Sequence, residues 1–239
     1  MKILTIDCCS SSCSAAVSED TRLLSYSLLD CGLGHSKTIL VQIDQVLKNA
    51  GLKLNDMDYI ATTVGPGSFT GIRIGVATAK GLAQATDIPL IALSTMDALA
   101  YNNTCADGTI IACTLDARRQ QVYRALYQIQ GGVPSRICED DAISIEALGE
   151  ELAQLQSPVL FVGDGAPLCY DALQDVLDCS IAPANLLAAS ASSAAIAAYR
   201  QTQSEKFSPL SHHELTPVYI RRPQAERERM EKEALEETL

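Results

Sequence analysis

The stretch VGPGSFTGIRIGVATAKGLA, Val64 to Ala83, decides how the chain is read. An apolar run with strand character, Tyr59 to Val64, leads into Gly65-Pro66-Gly67, which forces a tight turn. Ser68 or Thr70 can cap a helix after that turn, and Ile72 to Ala85 has helical periodicity. Strand, glycine turn and helix in succession form a unit from which α/β folds are built. No Gly-Lys-Ser/Thr comes after the turn, so it is not a Walker A loop, and glycines at 65, 67, 71 and 75 do not have the dinucleotide-binding spacing. Ser68 lacks a glycine two residues to either side, which excludes a nucleophile elbow. On the helix, Gly71, Gly75 and Ala79 recur every four residues and form a groove of small side chains. A glycine inside a helix costs about 1 kcal/mol relative to alanine, so a close contact must offset two of them. Either the chain's own sheet or a helix of another chain can supply it.

Upstream, Lys2 to Asp7 reads as a buried strand ending in a carboxylate, and Cys8 to Ser12 as a small-residue turn. Cys13 to Ser18 and Arg22 to Leu29 continue as a meander. Ser36 to Ala50 is helical, with Ile39, Ile43, Val46 and Leu47 on one face, Ser36 placed to cap it and Gly51 to end it. Downstream, Pro89 to Leu93 is a strand and Thr95 to Asn102 a short helix. The polar, turn-rich Asn102 to Gly108 marks a boundary between units 1–103 and 104–239. The second unit starts over with a strand ending in a carboxylate, Thr109 to Asp116, and a neighbour, Gln121 to Gln128. A turn at Gly131 to Pro134 comes next, then a helix (Ser144 to Gln154), a strand (Val159 to Val162), a helix (Pro167 to Leu177) and a strand (Cys179 to Ala182). An Ala/Ser-rich helix runs from Ala188 to Arg200. Each half thus opens on strand–turn–strand with an Asp at the first strand's end, which predicts a duplicated α/β lobe. Tyr219 and Ile220 are expected to anchor on the body. The alternating charges from Arg222 onward are expected either to form a solvated helix or to order on a partner.

The chain has 239 residues and a net charge of −11, with no Lys/Arg cluster of the kind that releases counterions from phosphates. Direct nucleic-acid binding is therefore not expected. The nine cysteines include no CxxC pair, and Cys8, Cys9 and Cys13 have no matching group at zinc spacing. They are expected to be reduced, buried and cytosolic. No targeting segment and no membrane span are expected. His35 lies just before the first helix as a cap or surface group. Position 39, one turn on, is Ile, so no metal pair is expected there. Asp7, with Ser10 and Ser11 close behind it, either caps its own turn or faces a phosphate.

Four segments together resemble the bacterial TsaB (YeaZ) family: ILTIDCCSSSCSAAV (Ile3 to Val17), GHSKTILVQIDQVL (Gly34 to Leu47), TTVGPGSFTGIRIGVATAKGLA (Thr62 to Ala83) and TPVYIRRPQAE (Thr216 to Glu226). From Asn103 to Pro209 the likeness is mainly in element order. The resemblance implies two lobes of the actin/Hsp70-like (ASKHA) type and a role in making N6-threonylcarbamoyladenosine at position 37 of tRNA. It implies a non-catalytic subunit that binds the catalytic paralogue TsaD and the ATPase TsaE, dimerises when isolated, and meets tRNA only through the complex. The implied partner-binding residues are His35, Ile39, Ile43, Gly71, Ile72, Gly75, Val76 and Ala79. Asp7, Ser10 and Ser11 are the implied remnant of a phosphate hairpin, with ATP or ADP held, if at all, at the junction with the partner. TsaD carries a His-x-x-x-His metal pair that His35 and Ile39 do not reproduce. A stand-alone sugar-kinase-like ATPase using Asp7 and the Asp116 loop is the alternative reading, and a peptidase a more remote one.

Overall fold

A computed structural model describes residues 1–103 and 105–221. β1 (Lys2–Asp7) pairs antiparallel with β2 (Cys13–Glu19), and β2 with β3 (Arg22–Leu29), which is the expected meander. β4 (Tyr59–Gly65) lies parallel to β1 on its other edge, and β5 (Leu90–Ser94) parallel to β4, so the order is β3-β2-β1-β4-β5. The second sheet contains β6 (Ile110–Asp116), β7 (Gln121–Gln130), β8 (Val133–Arg136), β10 (Val159–Val162) and β11 (Cys179–Ile181). Its order is β8-β7-β6-β10-β11, with β9 (Asp141–Ser144) also paired to β7. In both sheets the first strand runs antiparallel to the second and parallel to the strand on its other side. This repeated topology is a duplicated α/β lobe.

Strand alternation sets the layers. Leu4 and Ile6 face the core under α1 (His35–Asn49) and α2 (Phe69–Thr86), whereas Ile3 faces the opposite side. Ile110 and Ala112 face the core under α4 (Ile145–Leu155) and α5 (Ala166–Leu173), whereas Ile111, Cys113 and Leu115 face back. The two inward faces share one core with α3 (Thr95–Ala100) and α6 (Ala191–Thr202) between them. Ala191, Ala194, Ala195, Ala197 and Ala198 are buried on α6, and their small side chains let both sheets approach the helix.

Three local expectations change. Gly131 to Pro134 is not only a turn: β8 begins at Val133, and Pro134 sits opposite Ile129 on a sheet-edge strand. Proline removes a ladder donor, which an edge tolerates. α1 begins at His35 with Gly34 as an N-cap that makes no side-chain bond, so Ser36 is inside the helix. α2 begins earlier than expected, at Phe69, because Ser68 caps it through Gly71 N. The boundary near residue 103 separates the sheets, yet the second unit does not stay apart. α6 packs on β1 and β2, Leu210 bridges Leu90, and Val218 N donates to Val64 O at 2.8 Å. The charged tail beyond Arg221 lies outside the described residues. Among the described residues, no helix is long and apolar enough to cross a membrane.

Candidate functional site

The β1–β2 turn lies under the glycine loop. Ser68 N donates to Cys9 O at 2.8 Å, and Ser68 Oγ accepts from Gly71 N at 3.2 Å. Gly67 has φ +151, and a Cβ there would strike the Cys9 carbonyl oxygen. A Cβ at Gly71 would strike the Cys8 carbonyl, and one at Gly75 would meet Thr62 Oγ1 at 3.3 Å and Cys8 Cβ at 3.5 Å. The groove of small residues on α2 is thus filled by the chain's own turn and strand.

That placement turns the residues of the expected partner face inward within this chain. Gly71, Ile72, Gly75, Val76 and Ala79 of α2 are buried, as are Ile39 and Ile43 of α1. The apolar side chains among them share the first-lobe core with Leu4 and Ile6. Helical periodicity identifies an apolar face without saying what covers it. Of the expected set, only His35 is partly exposed. Outward, α1 presents Leu40 at 57% and Val41 at 67% exposure, flanked by Lys37 and Asp44, and α2 presents Arg73 and Ala77.

Asp7 ends β1 fully buried. Its Oδ1 accepts from Thr63 Oγ1 at 2.7 Å and from Cys9 N at 3.3 Å, while its Oδ2 has no partner among the described residues. Burial pushes its carboxyl above the ordinary value, against the lowering by those two hydrogen bonds. Ser10 and Ser12 share a hydroxyl hydrogen bond of 2.9 Å, and the exposed Ser11 donates to Asp30 at 3.4 Å, so the turn's hydroxyls close on their own neighbours. The equivalent turn after β6 is more open. Asp116 accepts from Arg118 N at 2.7 Å and lies 3.2 Å from its guanidinium, with the carboxylate side chain 26% exposed. Asp164 Oδ1 accepts from Asp116 N at 2.9 Å, and burial raises its carboxyl.

The segment before the tail joins the two turns. Tyr219 stacks on Phe69 with ring centroids 5.0 Å apart, and Arg73 Nε donates to Tyr219 Oη at 2.8 Å. Two residues on, Arg221 donates to Gln121 Oε1 at 2.6 Å and to Ala117 O at 3.4 Å. The expected Tyr219 anchor is therefore in place on α2, and Arg221 reaches the second lobe.

One cluster was missed from spacing alone. Asp7 pairs with Ser14 across the β1–β2 hairpin, so Cys8 and Cys13 come next across the turn, with sulfurs 3.6 Å apart. The first residue of α1 brings a His35 ring nitrogen to within 4.8 Å of both. His35 Nε2 lies 3.1 Å from Ser11 O. The hydrogen bond with Cys13 and burial raise the Cys8 thiol, whereas the same bond lowers Cys13. The hairpin register was the available signal: reading Asp7 opposite Ser14 places the two cysteines side by side.

Residues 31–229 match the family model for TsaD, tRNA N6-adenosine threonylcarbamoyltransferase. The Bacillus subtilis tRNA threonylcarbamoyladenosine biosynthesis protein TsaB is 33% identical over 177 residues, 74% of this chain and 77% of that protein. The Escherichia coli protein of the same name is 34% identical over 167 residues, 69% of this chain and 72% of that one. A solved Pseudomonas aeruginosa structure, of an uncharacterized protein with similarity to peptidase YEAZ, superposes with a TM-score of 0.76. It is 24% identical, over 92% of this chain and 99% of that one, and so shares the fold.

Proposed function

The chain belongs to the TsaB (YeaZ) family of tRNA threonylcarbamoyladenosine biosynthesis proteins, and we propose that within that pathway it is a non-catalytic subunit that acts through a TsaD-type transferase. The observation that carries this reading is the sealing of Asp7. A carboxylate that served a metal-bound phosphate would have to reach it, and Asp7 is fully buried beneath the glycine loop with Thr63 and Cys9 on one oxygen. As placed, Asp7, Ser10 and Ser11 do not fit such a group. ATP or ADP would therefore be held at the junction with the partner rather than in this turn. The net charge of −11 supports leaving the contact with tRNA to that partner.

The partner face in this proposal is the outer side of α1 and α2, with Leu40 and Val41 as its apolar centre. TsaE joins the same assembly, the isolated chain dimerises through this face, and the assembly works in the cytoplasm. The competing reading, a stand-alone sugar-kinase-like ATPase, draws on the more open Asp116 turn. An ATPase assay of the purified chain, alone and with the transferase, separates the two. The subunit reading predicts turnover at background for the chain alone. Turnover that falls when Asp116 is changed to Asn would favour the kinase-like reading.

A further inference from the structure

We propose that Cys8, Cys13 and His35 form a binding site for one zinc ion that ties the β1–β2 turn to the start of α1. The three donors come from the β1–β2 hairpin and the start of α1, and Cys8 packs against Gly75 of α2. Zinc–thiolate bonds of about 2.3 Å at tetrahedral angles place two sulfurs about 3.8 Å apart. The sulfurs stand 3.6 Å apart, so they are at ligand spacing without backbone movement. His35 is partly exposed at the first residue of α1, with a ring nitrogen within 4.8 Å of both sulfurs.

The donor chemistry selects the ion. Two thiolates and an imidazole suit zinc and other soft or borderline cations, and do not suit magnesium or calcium. The surroundings have the form of an outer ligand shell. The Ser11 carbonyl can only accept, so His35 Nε2 donates to it and Nδ1 keeps the lone pair a metal needs. Cys8 and Cys13 are each 1% exposed, and Cys8 packs against Gly75, so the protein closes the sulfur side. The exposed side of His35 is the entry path and leaves the fourth position to water. On binding, two zinc–sulfur bonds and one zinc–nitrogen bond form. The thiol protons leave to solvent, and no electron is transferred.

Cobalt is the probe. The full-length reduced chain is titrated with Co²⁺ in the absence of other metal, then with Zn²⁺. The expected result is one Co²⁺ per chain, with thiolate-to-cobalt charge transfer and the strong visible bands of a tetrahedral site, displaced by one equivalent of Zn²⁺. Cys13→Ser and His35→Ala are expected to weaken Zn²⁺ by at least about tenfold, whereas Cys31→Ser, at an exposed cysteine, leaves binding unchanged. Zn²⁺ is also expected to raise the melting temperature of the natural chain but not of His35→Ala. This arm needs no cysteine variant, so it holds even if Cys13→Ser fails to fold. Absence of the charge-transfer band at saturating Co²⁺, a Zn²⁺ affinity unchanged in His35→Ala, or no thermal shift with Zn²⁺ would overturn the site.

Discussion

At the scale of single residues, Gly75 and Asp7 give the sharpest tests. Gly75 faces Thr62 and Cys8 of its own chain, so Gly75→Leu should overpack the first-lobe core rather than merely block a partner. Overpacking of this kind costs about 1–3 kcal/mol, which in a chain of this size lowers the melting temperature by roughly 5 °C. A variant with unchanged melting temperature and lost partner binding would instead mean that the groove faces outward. Asp7 has a folded value above the ordinary 3.8 because burial disfavours its charge. Between 3.8 and the raised folded value the native chain holds a proton that the unfolded chain releases, and the stability from this group is present below 3.8 and lost as pH rises through the folded value. Asp7→Asn is accordingly expected to melt above the natural chain at neutral pH, with the gap closing as pH falls towards 3.8. Thermal melts of both proteins across that range check it, and a natural chain that is the more stable at neutral pH would show a charged, needed carboxylate. Neither outcome is legible in the sequence. The repeat of Gly71, Gly75 and Ala79 is visible there, but what lies against it is not, because helix periodicity carries no information about long-range contacts.

Elements were easier to read than their surroundings. The meander β1–β2–β3, the helix α1 and the strand–turn–helix of β4 and α2 emerged from alternation, periodicity and the glycine turn. β8 reads as a turn because Pro134 argues against a strand, until it is known to sit on an edge. β9, at four residues, is too short for alternation to register. The Cys8–Cys13–His35 cluster needs both the hairpin register and the docking of α1, and only the first could be inferred. Two predictions belong at this scale. Tyr219→Ala removes the stack on Phe69 and the bond from Arg73, and should cost about 1–2 kcal/mol of stability in chemical unfolding. A change within error would mean that the 218–221 segment is not fastened to α2. Leu40→Glu with Val41→Glu places two charges on the outer face of α1, where exposure of 57% and 67% leaves the fold little affected. Sedimentation with a TsaD-type transferase should then show the complex lost and the melting temperature held. An intact complex would move the partner face elsewhere.

For the molecule as a whole, two carboxylate-ended strands opening two similar halves announced the duplication, and the matching strand orders bear it out. The sequence boundary was less informative. An alanine-rich helix late in the chain reads as ordinary, yet α6 is what brings the second half back onto the first sheet. In this architecture the carboxylate after β6 stays partly exposed and the one after β1 is buried, which is the physical basis for the proposal that the chain has a supporting rather than a catalytic part. Reconstitution tests that proposal most directly. Unmodified tRNA, ATP, threonine, bicarbonate and the adenylate-forming synthase are incubated with the chain, with a TsaD-type transferase, or with both, and threonylcarbamoyladenosine is measured by mass spectrometry. Background product is expected from the chain without the transferase, and product that depends on the chain once the transferase is present. Modified adenosine formed by the chain with no transferase would contradict that proposal.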